Sequence, residues 1–347
     1  MLSVFAAGVA CSAAPHASPD ATGTVDSAPG VDGAAIDGTA PDAGAHGHVL
    51  LGAYTDQGGS NDASFQALET AVGHALAIEN QREPWQSMFD TMDEPFDLAH
   101  GVVPMISWTV EAPGGCAKPA DIVAGTYDAQ LAAQGHALAA FGVPVLVRFY
   151  KEFTDSAIDQ CFYGDSPAKN AAVDGPKLVA VWQHVVDTVR ANGGTNVQWV
   201  WGPSANLFSK GDGSLDPDTW KLFYPGDTYV DWMANDNYNK TATGSAYADD
   251  PNINHWYGEV STLGKPLMQS ETGAAYLTGS DGAELQPDPQ TQWVLSAYQS
   301  LPAKFPAMAA FVYWSAMGQQ DYRLQGSGAV IYGEMAADPY FSATTLP

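Results

Sequence analysis

Eight short apolar runs that alternate with helix-like segments constrain the fold of this chain more than any other feature. Each run is apolar at successive positions, which is typical of parallel strands buried on both faces. The predicted strands are His48–Tyr54, Ala75–Ile78, Val102–Thr109, Val145–Tyr150, Val197–Trp201, Val230–Asn235, Pro266–Ser270 and Ala309–Ser315. Strands that alternate with helices predict a parallel sheet covered by helices.

The segments between these runs carry helix start and stop signals. The predicted helices are one capped by Ser60 or Asn61 that runs to about Val72, Asp128–Phe141, a helix that starts at Pro176 and stops at Gly193, and Pro289–Gln299. Proline suits a first helical position because its missing N–H would have no helical partner there. Eight strand–helix units in about 300 residues favour a (β/α)8 TIM barrel with a single catalytic domain over an open sheet.

The sequence carries no recognisable cofactor or metal motif. Gly58 and Gly59, after the first predicted strand, lack the spacing of dinucleotide- and nucleotide-binding loops. The chain also lacks CxxC, HExxH and EF-hand patterns. We therefore expect no cofactor and no metal.

The first 11 residues form an apolar start that is too short to span a bilayer and resembles a secretory signal. The ending Val9-Ala10-Cys11 resembles a lipoprotein cleavage site, although Gly8 stands where leucine is usual. Three interpretations stay open: a lipid anchor at Cys11 on the outer surface of a bacterium, plain secretion, or an apolar start that arose by chance.

Residues 12–47 are rich in Ala, Gly, Ser, Pro and Thr and contain five aspartates but no Lys or Arg. Such a segment cannot bury enough apolar surface to fold, so it predicts a disordered acidic linker. The folded domain is expected at residues 48–347.

The charge balance limits the classes of partner. Thirteen Lys and Arg against 39 Asp and Glu give a net charge of −26. Nucleic acids and anionic membrane surfaces need clustered basic residues, so neither is expected as a partner. An acidic protein with ten Trp and fifteen Tyr suits an uncharged sugar chain better, and we expect it to act as a monomer.

Two glutamates end predicted strands at the barrel end where functional residues collect. Glu152 follows the fourth run, where period-two alternation places it on one side with Arg148 and Tyr150, and Glu271 follows the seventh. Retaining glycoside hydrolysis needs two carboxyl groups about 5–5.5 Å apart, and strands four and seven face each other across a barrel mouth.

The chain resembles glycoside hydrolase family 26, the β-mannanase-like (β/α)8 enzymes, over most of residues 48–335. The resemblance is carried by PMISW at 104–108, VRFYKE at 147–152, NVQWVWGPSAN at 196–206, YPGDTYVDW at 224–232, NDNYN at 235–239, KPLMQSETG at 265–273 and DYR at 321–323.

This resemblance implies roles for individual residues. Glu152 corresponds to the acid/base of the family and Glu271 to its nucleophile. Tyr238 matches a tyrosine that hydrogen-bonds the nucleophile, and Trp314 matches the aromatic platform at the cleavage subsite. Trp108 and Trp201 are expected to line neighbouring subsites, and Arg148 to lie beneath the carboxylates.

One departure from the family pattern concerns the residue before the acid/base, where Lys151 replaces the usual histidine. An ammonium there favours ionised Glu152, whereas a general acid must hold its proton. Three interpretations stay open: Lys151 points away, its charge is offset by Asp155 or Asp165, or the enzyme is altered or impaired.

Cys116 and Cys161 follow the third and fourth strands and would lie on adjacent loops. In an exported protein such a pair predicts a disulfide, here one that braces the loop bearing Glu152.

Together these observations predict a retaining glycoside hydrolase that cleaves a β-linked polysaccharide, with endo-β-1,4-mannan cleavage foremost. The alternatives are β-1,3-xylan or mixed-linkage β-glucan as substrate, or a non-catalytic sugar-binding protein on the same scaffold.

Overall fold

The computed structural model describes residues 47–55, 61–89, 94–112, 115–154, 163, 170–240, 246–286 and 288–347. The predicted signal, the lipid anchor at Cys11 and nearly all of the linker lie outside these residues, so they stay predictions. Within the described segments, no helix is both long and apolar enough to cross a membrane.

Eight parallel strands form a closed barrel in the order β1-β8-β7-β6-β5-β4-β3-β2. The strands are β1 (Leu50–Thr55), β2 (Ile78–Pro84), β3 (Val103–Thr109), β4 (Val145–Phe149), β5 (Val197–Trp201), β6 (Trp232–Asn239), β7 (Leu267–Ala274) and β8 (Met308–Ser315). Pairing of Leu50 with Ala310 and of Thr55 with Ser315 closes the barrel between its first and last strands. The predicted (β/α)8 fold is confirmed.

Helices follow the strands along the chain and pack outside the barrel. They are α1 (Asn61–Val72), α2 (Glu94–His100), α3 (Pro119–Val123), α4 (Asp128–Phe141), α5 (Ala171–Ala191), α6 (Pro251–Val260), α7 (Pro289–Lys304) and α8 (Gly326–Ala337). Three short 3₁₀ helices (Ala205–Phe208, Thr219–Leu222 and Asp227–Tyr229) occupy the connection between β5 and β6.

Two sequence-based boundaries are wrong. The second strand begins at Ile78, where the prediction ended it, because buried polar residues such as Asn80 and Gln81 hide this strand from a search for apolar runs. Pro176 lies inside α5 rather than at its start. Helix α5 begins at Ala171, so Pro176 is within its first two turns.

Alternate residues of each strand serve two separate apolar cores, as expected for a filled barrel. One core lies inside the barrel and includes Leu50, Met105, Leu146, Val200 and Met268. The other fills the space between the strands and the helices, where Trp108, Trp199 and Trp201 are buried. Apart from β2, whose buried residues are largely polar, the strands are therefore apolar at successive positions, as the sequence indicated.

Candidate active site

The carboxyl ends of the strands surround a cavity of about 280 Å³. Its lining includes Arg82 at β2, Lys151 and Glu152 after β4, Tyr238 on β6, Glu271 on β7 and Trp314 on β8. The structure thus brings both predicted carboxylates, the tyrosine and one of the predicted tryptophans to one place.

Glu271 faces the barrel interior because β7 contains an irregularity in its register. Gln269 pairs with Asn235 of β6 and Glu271 pairs with Asp236, which leaves Ser270 as an extra residue. The register between β7 and β8 shifts in the same region. Ser270 and Glu271 therefore both direct their side chains inward, and such a bulge is a common way to re-aim a functional side chain.

Three groups hold the Glu271 carboxylate. Arg148 Nη1 donates to Oε1 at 2.7 Å, Tyr238 OH donates to Oε2 at 2.8 Å, and Lys151 Nζ lies 3.5 Å from Oε1. Burial alone would raise the pKa of Glu271, but the positive charges of Lys151 and Arg148 outweigh it and lower the pKa to about 2. Glu271 is therefore ionised at neutral pH.

Burial, together with the neighbouring carboxylates, raises the pKa of the Tyr238 hydroxyl well above its usual value. Tyr238 therefore keeps its proton and remains a hydrogen-bond donor to Glu271. This contact agrees with the partner that the sequence assigned to Tyr238.

Beneath the carboxylates, Arg148 is fully buried and binds Asp236 as well as Glu271. Ser270 Oγ donates to the other Asp236 oxygen at 2.8 Å. Burial raises the pKa of Asp236 against the opposing effect of Arg148. A Cβ on Gly202 would lie 3.0 Å from Arg148 Nε, so a larger residue there would crowd the guanidinium.

Sequence reasoning missed Asp236. The sequence did contain a signal for Asp236. This residue lies in the NDNYN motif two positions before Tyr238, so both side chains are expected on the same side of the strand. Asp236 fixes the guanidinium of Arg148 from the side opposite to Glu271.

Glu152 is positioned by a strained turn after β4. Among the described residues other than glycine, only Tyr150 (φ 49°) and Glu152 (φ 50°) have positive φ, and such strain collects at functional sites. Backbone bonds hold this turn: Tyr150 N donates to Trp108 O at 2.9 Å and Glu152 N to Gly202 O at 3.0 Å.

The prediction that Tyr150 shares a side with Arg148 and Glu152 is wrong. The strand ends at Phe149, and the positive φ of Tyr150 breaks the period-two alternation. Tyr150 instead packs against Phe149 and Tyr163 in the core between the strands and the helices.

The two glutamates are close enough to act on one bond. Carboxylate oxygens of Glu152, Asp236 and Glu271 lie within 4.8 Å of one another. Such a cluster could offer oxygen ligands to a cation, but Arg148 and Lys151 already contact these groups. Glu271 is 2 % exposed on its side chain and Glu152 is 16 % exposed.

Lys151 points into the site. Its Nζ lies 3.3 Å from Glu152 Oε2, in addition to its contact with Glu271. The interpretation that Lys151 points away is therefore wrong, and Asp155 and Asp165 lie outside the described residues. The ammonium bridges the two carboxylates.

Trp314 lines the cavity and is stacked against Tyr54 of β1, with ring centroids 3.7 Å apart and an interplanar angle of 7°. Arg82 Cζ and Lys151 Nζ lie over the Trp314 ring at 5.5 and 5.7 Å from its centroid. Because Tyr54 covers one face, the two cations lie over the other.

Trp108 and Trp201 do not reach the cavity. They are 1 % and 0 % exposed and belong to the core between the strands and the helices. There Trp201 packs against Phe153, and its indole N–H donates to Phe223 O at 3.2 Å. Their positions alternate with the inward-facing Ser107 and Val200, so both rings point toward the helices. The prediction that they line subsites is wrong.

A second, polar cavity of about 310 Å³ lies on another side of Glu152. Ser204, Asn206, Asn237 and Asn252 contribute to its lining, and sequence reasoning singled out none of them. Ser204 Oγ is 3.5 Å from Glu152 Oε1. Glu152 thus stands between two cavities.

Cys116 lies in a short antiparallel ribbon after β3, where Glu111–Ala112 pairs with Gly115–Cys116. It is a disulfide cysteine. Because Cys161 lies outside the described residues, the Cys116–Cys161 pairing stays a prediction.

Residues 117–280 match the model of glycosyl hydrolase family 26. Endoglucanase H of Acetivibrio thermocellus is 27 % identical over 270 residues, which cover 76 % of this chain and 27 % of that protein. The chain thus spans about a quarter of the length of this relative.

Solved structures share the fold. The catalytic domain of a family 26 endo-β-1,4-mannanase from Bacillus sp. JAMB-750 superposes with a TM-score of 0.62 at 16 % identity, covering 84 % of this chain and 86 % of that one. A modular endo-β-1,4-mannanase from Cellulomonas fimi gives a TM-score of 0.60 at 18 % identity, covering 84 % and 71 %.

Proposed function

We propose that the chain belongs to glycosyl hydrolase family 26, whose model matches residues 117–280, and that it hydrolyses a β-linked polysaccharide with retention of configuration. The observation that carries this proposal is the pair Glu152 and Glu271, whose carboxylate oxygens approach within 4.8 Å. Retaining glycosidases place their two carboxyl groups about 5–5.5 Å apart, whereas inverting ones need room for a water molecule between them.

In the first step, Glu271 attacks the anomeric carbon while Glu152 donates its proton to the leaving glycosidic oxygen. The low pKa of Glu271 supports its role as the nucleophile, because that residue must be ionised. Tyr238 and Arg148 orient the attacking carboxylate through its two oxygens.

In the second step, Glu152 accepts a proton from water, and that water attacks the anomeric carbon of the glycosyl-enzyme. The partial exposure of Glu152 and its position between two cavities support this role. Glu271 leaves as the carboxylate that Arg148 and Lys151 stabilise.

For the substrate we propose an endo-acting cleavage of β-1,4-mannan. The support is the description of the family 26 neighbours as endo-β-1,4-mannanases. The name of the A. thermocellus relative, Endoglucanase H, favours β-glucan as the second candidate.

The test is product release from mannan, lichenan and β-1,3-xylan by the wild-type protein and by Glu271→Ala. We expect the wild type to release oligosaccharides with the β-anomer formed first, as followed by proton NMR, and Glu271→Ala to lose at least about 10³-fold in kcat. Glu334→Ala removes an exposed glutamate on α8 and is the matched control.

Unchanged turnover in Glu271→Ala would contradict the mechanism. Sugar binding without turnover in the wild type would favour the non-catalytic alternative, for which the specific observation is the ion pair between Lys151 and Glu152.

We also propose that the chain is exported from a bacterial cell, by secretion or as a lipoprotein anchored at Cys11, and that Cys116 and Cys161 form a disulfide. The apolar start, the linker composition and the disulfide state of Cys116 support this. Mass spectrometry of the mature protein tests both features.

A further inference from the structure

Both faces of the Trp314 indole are covered. Tyr54 of β1 is paired with Trp314 of β8 in the strand register, and the two rings stack with their centroids 3.7 Å apart. Over the opposite face lie Arg82 Cζ and Lys151 Nζ, at 5.5 and 5.7 Å from the indole centroid. Trp314 is accordingly only 8 % exposed.

A sugar ring could pack on this indole only after the cations had moved. Lys151 Nζ lies 3.3 Å from Glu152 Oε2 and 3.5 Å from Glu271 Oε1, and its side chain is 5 % exposed. Removing a cation from buried carboxylates leaves their charge uncompensated, which is strongly unfavourable, and a neutral sugar supplies no charge in return. The platform role that the family resemblance implies for Trp314 therefore conflicts with the position of Lys151.

The indole instead completes the surroundings of the Lys151 ammonium. Lysine carries its charge at the end of a flexible four-carbon chain, so attraction to the carboxylates alone leaves several orientations open. An ammonium over an indole face is attracted by the quadrupole of the ring, and the attraction is stronger where water is excluded. Trp314 thus adds a third contact to the two that Glu152 and Glu271 make.

The neighbours of Trp314 fix the indole for this task. Its stack on Tyr54 follows from the strand pairing that closes the barrel. Arg82 is exposed whereas Lys151 is buried, so Arg82 lies toward the solvent and Lys151 toward the carboxylates. The indole is held between β1 and the two cations, and it cannot shift without losing one of these contacts.

We propose that Trp314 is a positioning residue, which holds the Lys151 ammonium between Glu152 and Glu271 by a cation–π contact, and that the sugar does not pack on its indole. This inference rests on the proposed function and deepens it. It also assigns a task to the lysine that stands where the family usually has histidine, because one cation then spaces both reacting carboxylates.

Both steps of the reaction gain from this arrangement. Glu271 must attack and later leave as a carboxylate, and Glu152 must give and take a proton at the same bond. A cation in contact with both groups fixes their separation, and the positioning of reacting groups accounts for a large part of catalysis. Without the indole we expect Lys151 to sample other rotamers, so that kcat falls while sugar binding is retained.

Trp314→Leu, Lys151→Met and the double variant test whether Trp314 acts through Lys151. Turnover is measured on β-1,4-mannan and on lichenan. We expect Trp314→Leu to lower kcat by at least about ten-fold in the wild-type background, but by less than about three-fold when Lys151→Met is already present. Trp314→Phe retains an aromatic face and is expected to recover most of kcat. Equal losses in both backgrounds would overturn the proposal.

Sugar binding is measured apart from turnover, with a β-1,4-linked mannose tetramer whose glycosidic linkages carry sulfur so that it resists hydrolysis. Calorimetry gives a Kd for the wild type and for Trp314→Leu. A positioning role leaves the Kd nearly unchanged while kcat falls. A loss of affinity as large as the loss in kcat would mean that the sugar packs on the indole, and it would overturn the proposal.

Trp220→Leu is the matched control. Lys221 Nζ lies over the Trp220 ring at 5.9 Å from its centroid, and Lys221 pairs with Asp218 on the connection between β5 and β6. This variant also removes an indole beneath a lysine, yet its kcat is expected to stay within about two-fold of the wild type. Circular dichroism and thermal unfolding verify that each variant is folded. A fall in kcat as large as that of Trp314→Leu would trace the loss to folding and overturn the proposal.

A readout without turnover follows the Lys151 side chain itself. With lysine labelled by ¹³C at Cε, the protons next to Lys151 Nζ are expected upfield of those of exposed lysines, because the ring current of the indole shields them. Their NMR signal is identified by its loss in Lys151→Met, and it is expected to return to the ordinary position in Trp314→Leu. Absence of a shielded Lys151 signal in the wild type would overturn the proposal.

The proposed function and this inference can fail separately. A wild-type protein that cleaves neither glycan but shows the shielded Lys151 signal would refute the proposed function alone. Cleavage by the wild type, with equal losses from Trp314→Leu in both backgrounds, would refute this inference alone.

Discussion

At the scale of single residues, Lys151 has an effect that its place beside Glu152 does not reveal. The sequence suggests an ammonium that acts on the acid/base. In the structure its Nζ also lies 3.5 Å from Glu271, and Lys151 is the largest of the influences that lower the pKa of Glu271. Lys151 therefore helps to keep Glu271, the proposed nucleophile, ionised.

Replacing Lys151 by methionine tests this. Removal of the charge raises the pKa of Glu271, so the ionised fraction falls at a higher pH than in the wild type. We expect the acidic limb of the kcat/KM profile to move upward by about one to three pH units. Initial rates measured from pH 3 to pH 8 check this, because the acidic limb of the wild type lies below that range and the limb of Lys151→Met is expected to enter it.

Lys304→Met removes a lysine at the end of α7 and is expected to leave the profile in place. A Lys151→Met profile that matches the wild type would show that the other cations, Arg148 and Arg82, are sufficient to keep Glu271 ionised.

At the scale of elements, the direction of a side chain depends on details of strand geometry. The extra residue Ser270 turns Glu271 inward, and the positive φ of Tyr150 turns that ring outward. On β5 the inner position belongs to Val200 and the outer one to Trp201. A run of apolar residues in the sequence reveals neither the bulge nor which of the alternate residues of the strand face the barrel interior.

The burial of Trp201 predicts a structural role that separates it from Trp314. Trp201→Ala is expected to lower the free energy of unfolding by about 3–5 kcal/mol, because it leaves a cavity between β5 and the outer layer. Trp314→Ala is expected to lower kcat/KM more and stability less, since its ring lines the cavity beside Glu271. Urea unfolding and initial rates measure the two effects.

Trp201→Phe retains most of the ring volume and should recover much of the lost stability. Full stability of Trp201→Ala together with weaker sugar binding would mean that Trp201 contacts the substrate after all.

At the scale of the whole molecule, the domain boundary at residue 48 is a prediction that truncation can check. A protein lacking residues 1–46 retains all eight barrel strands and every residue assigned to the site. We expect its Tm and its kcat/KM to equal those of the full chain, because an acidic Ala/Gly/Pro-rich segment contributes no apolar burial. A clear fall in Tm would place part of that segment in the folded domain.

The sequence by itself determined the barrel, because eight apolar runs separated by helix signals leave few other ways to bury a parallel sheet. It also determined which glutamates end strands four and seven, and the family motifs named Arg148, Tyr238 and Trp314. It misplaced β2, whose buried residues are mostly polar, and it misplaced Trp108 and Trp201.

Only the tertiary structure decided the chemistry around those glutamates. The β7 bulge, the strained turn at Glu152 and the close approach of Arg148 to Gly202 depend on contacts between residues far apart in the chain. The same holds for charge: the composition gives −26, while folding brings Arg82, Lys151 and Lys240 to the cavity that Glu152 and Glu271 also line. Electrostatic interaction falls with distance and with screening, so the arrangement of charges, and not their sum, sets what the site binds.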